Sequence, residues 1–166
     1  GSLMSSKGRI YGFDVSEKRL NKLKPRLKRS GLSNLFPRWI SSENDVRVKR
    51  LIGKVDRVLV DAPCSGLGTL RRNPGLKLCQ ASKNIEEKKN CQEAILTSSA
   101  RLLKPGGRLV YATCSFLSEE NQEVIKNFLS VHTQFKLLNC AELLLQQKIP
   151  LDTGKFLELY PGKHNT

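Results

Sequence analysis

Short apolar runs alternate with stretches of helical periodicity along the whole chain, and this alternation restricts the fold more than any other feature of the sequence. Residues 9–15 (RIYGFDV) read as a strand, and Ser16 is placed to cap a helix on which Leu20, Leu23 and Leu27 recur at helical spacing until Gly31. Pro25 is expected to kink or interrupt that helix. Residues 35–40 form a weaker strand candidate because of Pro37. Residues 55–61 (VDRVLVD) are β-branched, end at Ala62-Pro63 and open into the loop SGLGTLRRNPG. A helix is predicted over 85–103, stopped by Lys104-Pro105-Gly106-Gly107, then a strand over 108–114 (RLVYATC). A helix capped by Ser118 and reaching about Val131 follows, with further strands over 135–138 and 156–160. This order predicts an α/β fold, a mostly parallel sheet with helices on both faces, and no internal repeat or linker divides it.

Open sheets of this kind bind ligands beyond the carboxyl ends of their strands. Asp14, Asp61 with Cys64, and Cys114 with Ser115 all lie at or just past predicted strand ends. A single free cysteine reads most simply as a small buried hydrophobe, but two in equivalent positions, in DAPCSG and ATCS, point to chemistry. A thiolate is the group required where an electrophilic carbon must be attacked covalently. Asp61 could bind the edge of a heterocycle or supply a proton, and Asp14 occupies the place where nucleotide-binding sheets put an acid for ribose hydroxyls.

Charge bears on the partner. Lys and Arg number 29 against 15 Asp and Glu, a formal +14, which attracts polyanions such as nucleic acid. Seven of these cations lie between Lys18 and Arg29 with no acid among them, Lys24 and Lys28 included. Arg71 and Arg72 sit in the loop after Cys64. A mean hydropathy of −0.37 and the lack of a long apolar run argue against a membrane span. The five cysteines include no C-x-x-C pair, so neither a disulfide framework nor a structural zinc site is expected, nor is any other metal. Reduced thiols and a cytoplasmic location are the expectation. Trp39 and Tyr111 read as core residues, and His132 and His164 lack metal-ligand spacing.

The segments GRIYGFDVSEKRL, VDRVLVDAPCSGLGTLRRNP, LLKPGGRLVYATCSFLSEEN and DTGKFLELYPGKH resemble the catalytic domain of bacterial RNA cytosine-5 methyltransferases of the Fmu/Sun type, over nearly the whole chain. The resemblance implies a Rossmann-like class I methyltransferase fold, S-adenosylmethionine as cofactor, and RNA, with ribosomal RNA as the expected class, as substrate. By match to the motifs, Cys114 would attack cytosine C6 and Cys64 would assist release of the methylated product. Asp61 would bind the cytosine edge around N3, Pro63 would shape the pocket, and Asp14 would hold the cofactor ribose. Asp61 and Pro63 would thus lie on the cofactor side as well. Arg71, Arg72, Lys24 and Lys28 are candidates for RNA phosphate contacts, since phosphate neutralisation supplies affinity while the base pocket supplies selectivity. The target base must be unstacked to be reached.

The family also has a first strand with a Gly-rich cofactor loop and a final strand that find no counterpart here. Residues 1–166 are therefore expected to form one partial catalytic domain, truncated at both ends. The absent first strand would leave the edges of its neighbours exposed or force them together. The acid that the family carries after its third strand has Glu43 and Asp45 as nearest candidates. Two other readings compete: a basic RNA-binding fragment without catalysis of its own, and an amino-group methyltransferase of the same fold. The paired cysteines disfavour the second of these.

Overall fold

The computed structural model describes residues 1–5, 7–75 and 82–160; Cys79 and His164 lie outside them. Its elements run β1 (Ile10–Asp14), α1 (Glu17–Ser30), β2 (Leu35–Trp39), α2 (Val46–Lys49), β3 (Val55–Asp61), α3 (Ser82–Ala100), β4 (Leu103–Ala112), α4 (Gln122–Val131) and α5 (Cys140–Gln146). Ser16 caps α1 through its side chain, which accepts from the Arg19 amide, and Gly31 closes the helix. Pro25 lies inside α1 without interrupting it. Its ring faces solvent, where water can serve the carbonyl that loses its helical donor.

The strands form two parallel pairs, β1 with β2 and β3 with β4, and β1 and β3 share no ladder. Neighbouring edges are thus not forced together. Pro37 is tolerated in β2 by parity. Asn34 O and Ile40 N bond towards β1, so the even-numbered residues face that strand, and the missing N–H of Pro37 points away from it.

The stretch Lys104-Pro105-Gly106-Gly107 does not separate helix from strand as expected; it lies within β4, and the helix before it ends at Ala100. Between the pairs Val55↔Leu103 and Arg57↔Arg108 the extra residues of β4 bulge outward. Lys104 Nζ holds this bulge to Asp56 Oδ1 of β3 at 2.8 Å. The predicted strands over 135–138 and 156–160 are not formed, because neither segment finds a ladder partner among the described residues. Phe135 instead packs against α4, its ring centroid 5.3 Å from that of Phe128.

Among the described residues two clusters make the core. Leu96 and Ala100 of α3 meet Val124 and Phe128 of α4, with Leu109 and Tyr111 of β4 beneath them. Full burial of a Leu or Val side chain contributes about 1.5–3 kcal/mol. The second cluster, Ile40, Val48 and Leu102 with Phe13 and Val58, joins the two strand pairs. On β3 and β4 the register partners Leu59 and Val110 are exposed, Leu59 at 68%. Among the described residues no helix is long and apolar enough to cross a membrane.

Candidate active site

Because β3 and β4 are parallel and adjacent, the pair Asp61↔Ala112 delivers the two following loops to the same place. The Sγ atoms of Cys64 and Cys114 stand 3.3 Å apart, and the Cys114 amide also points at Cys64 Sγ, at 3.3 Å. Cys114 is exposed and Cys64 half-buried. Burial, reinforced by the hydrogen bond with Cys114, pushes the Cys64 thiol up to about 11. The Gly66 and Cys114 amides pull in the other direction without reversing this, so Cys64 carries its proton at neutral pH.

Small residues let the loops approach so closely. Gly66 adopts φ 75°, a left-handed turn that glycine favours. The Gly68 amide donates to the Cys114 carbonyl at 2.9 Å, and a Cβ on Gly68 would stand 2.9 Å from that same oxygen. The hydroxyls of Ser65 and Ser115 meet at 3.0 Å, a second link between the loops.

Asp61 ends β3 in an exposed position, and its side chain has no hydrogen-bond partner among the described residues. The Pro63 carbonyl accepts from Gln92 Nε2 at 2.9 Å. Asp14 ends β1 on the other strand pair. Its Oδ1 accepts from the Ser16 amide at 2.7 Å and faces Arg19 at 2.9 Å, while nothing among the described residues holds Oδ2. Arg71 and Arg72 follow the DAPC loop directly and are exposed, as are Lys24 and Lys28 on α1.

The 16S rRNA methyltransferase RsmB/F family matches residues 1–166. The chain belongs to that family. It is 34% identical over 166 residues to the ribosomal RNA small subunit methyltransferase B of Shewanella oneidensis, covering 95% of this chain and 35% of the relative. Among solved structures it superposes on PH0851 with a TM-score of 0.83 and 39% identity, over 98% of this chain and 36% of that one. On NSun6 from Pyrococcus horikoshii with SFG the TM-score is 0.79 and the identity 30%, over 98% of this chain and 40% of that one. The class I methyltransferase fold expected from the sequence is that of these neighbours. This RsmB/F chain spans a little over a third of the length of such relatives.

Within the RsmB/F chain the other expectations divide. Asp45 is buried at the start of α2, where the Ser41 and Arg47 amides hold its carboxyl below the usual carboxylate range. Glu43 accepts from the Asn44 side chain. Trp39 is not core: it is 45% exposed, with the Arg47 guanidinium 5.7 Å from its ring and its Nε1 donating to Val15 O. Tyr111 does pack into the core, and its hydroxyl donates to the Glu120 carbonyl at 2.7 Å.

Sequence reasoning missed three residues that hold the site in this RsmB/F chain: Gln92 of α3, and Glu120 and Asn121 ahead of α4. Glu120 was legible only as an acid in the first turn of a helix capped by Ser118. In the structure residues Ser118–Glu120 form a separate 3-10 turn, and α4 begins after Asn121. An N-cap-type residue directly before QEVI was the available signal.

Proposed function

We propose that this chain carries the catalytic centre of an S-adenosylmethionine-dependent enzyme that methylates cytosine C5 in RNA, with ribosomal RNA as the substrate class. The observation that carries this reading is the pair of sulfurs 3.3 Å apart at the ends of neighbouring parallel strands, one exposed and one half-buried. Cytosine C5 is a weak nucleophile. A thiolate from Cys114 adding to C6 would make C5 electron-rich enough to accept a methyl group. A base must then take the C5 proton, and the C6–S bond breaks with its electron pair returning to the Cys114 sulfur. Cys64, held protonated 3.3 Å from that sulfur, is placed to give its proton to the departing thiolate and does not suit the attack. Asp61, exposed at the strand end, is free to engage the base edge.

The residues present fit the cofactor. Asp14 keeps one carboxylate oxygen available at a strand end, the chemistry needed to accept hydrogen bonds from ribose hydroxyls. S-adenosylmethionine supplies an electrophilic methyl group on a sulfonium. Arg71, Arg72, Lys24 and Lys28 would meet the RNA phosphates. The test is made with the full-length protein and an RNA substrate. Cys114→Ala is expected to abolish methylation and leave no covalent complex, whereas Cys64→Ala traps protein on RNA as a species that survives denaturing electrophoresis. Normal turnover in the Cys64 variant, or trapping by the Cys114 variant, would overturn the assignment.

A further inference from the structure

Two consecutive residues reach into the two cysteine loops. Glu120 is 0% exposed; its Oε1 accepts from the Ser65 amide at 2.8 Å and from Gln92 Nε2 at 3.1 Å, and its Oε2 from the Ser65 hydroxyl at 2.5 Å. Gln92, also 0% exposed, sends another hydrogen bond to Pro63 O. The peptide groups on both sides of Cys64 are therefore pinned from beneath. Asn121 serves the other loop: Nδ2 donates to Ser115 O and Leu117 O, each at 2.9 Å, and Oδ1 accepts from the Thr113 hydroxyl at 2.6 Å. With Ser65 Oγ donating to Glu120, Ser115 Oγ must donate to Ser65 Oγ, so the hydroxyl contact between the loops has one direction.

A carboxylate taken wholly out of water costs several kcal/mol unless donors replace the water, and no cationic side chain among the described residues pairs with Glu120. Among the described residues the donors to that carboxylate come from the Cys64 loop and from α3, not from its own segment. We propose that Glu120 and Asn121 are positioning residues, a single strap that sets the separation of the two sulfurs and so lets Cys64 act on an adduct formed at Cys114. This rests on the proposed division of labour between the cysteines. Displacing a reacting group by about 1 Å can cost about a hundredfold in rate, so the strap acts on turnover rather than on RNA affinity.

Phenylarsine oxide reads the separation without reference to activity. Two thiols displace its oxygen as water and form two As–S bonds, which requires both sulfurs within reach of one arsenic atom. The full-length wild-type protein is expected to capture one equivalent, and Cys64→Ala to lose that capture. Glu120→Ala should weaken capture about tenfold, while Glu120→Gln, which keeps an acceptor for the Ser65 amide, recovers most of it. In turnover Glu120→Ala should lower kcat with KM for RNA little changed, and enlarge the trapped covalent fraction. Wild-type capture by a folded Glu120→Ala variant overturns the proposal. Should that variant not fold, Ser115→Ala cuts the contact between the loops and should weaken capture about threefold; an unchanged value overturns it equally. If capture responds to Glu120 but Cys114→Ala still methylates RNA, the strap stands and the reading of the cysteines falls.

Discussion

In the β1–α1–β2 half of the molecule no residue of α1 is buried, and the helix attaches through half-buried leucines under a face of lysines and arginines. In the β3–β4 half, Leu96 and Val124 are sealed between α3 and α4, and the loops beyond the strands are held by Gln92, Glu120 and Asn121. Both halves follow the same parallel-strand plan. What differs is the geometry each must maintain: a carboxylate and a cationic surface tolerate movement of an ångström, whereas two sulfurs in contact do not. Close packing and hydrogen bonds between the loops are concentrated where the tolerance is smallest.

The contrast breaks most visibly in stability. Leu96→Ala should cost about 2–5 kcal/mol in urea unfolding, because Leu96 is 1% exposed and its truncation opens a cavity in the α3–α4 core. Leu23→Ala, on a helix with no buried residue, should cost about 1 kcal/mol or less. Equal losses would mean that the two halves are packed alike. Next comes Gly68→Ala in the full-length protein. Its new Cβ meets the Cys114 carbonyl at 2.9 Å, so the loop must shift, and methyl transfer is expected to fall about a hundredfold while RNA binding holds.

The cations that follow β3 in the second half are tested by replacing Arg71 and Arg72 with Ala and measuring affinity for single-stranded RNA across a salt series. The salt slope should flatten by about 0.7 for each phosphate that is no longer neutralised. An unaltered slope would remove these two arginines from the RNA surface.

The smallest effect is one of pH. Cys64 holds its proton more tightly in the folded protein than in the unfolded chain, so its iodoacetamide labelling should stay slow at neutral pH and rise towards about 11. The unfolded chain releases that proton at lower pH, so this group lowers global stability as pH climbs through the same alkaline window. Cys114→Ala should move the labelling midpoint down, since the Cys114 hydrogen bond helps to raise it. A midpoint that does not move would leave burial as the whole cause.

Legibility in the sequence follows the same division. Residues 55–61 were readable as a strand to the residue, because a β-branched run ending in Ala-Pro admits little else. The two cysteine loops were readable from small residues at strand ends. The strap was not: an acid near a helix start is common, and only three-dimensional structure shows that the donors to Glu120 lie 28 and 55 residues away along the chain. The strands expected over 135–138 and 156–160 failed for the converse reason, since apolar alternation signals a strand only where a neighbour exists to receive its hydrogen bonds.

The two ladders also differ in the length of chain each must close. Cys64 and Cys114 are 50 residues apart, roughly double the span between the paired residues Ile10 and Leu35, and each doubling of a loop adds about 0.6 kcal/mol to the entropy of closure. Pairings distant in sequence are slower to form, because closure entropy is lost before the contacts repay it. Closing β1–α1–β2 carries the smaller entropic cost and is expected ahead of the β3–β4 pairing, which leaves the meeting of the two sulfurs to the later step.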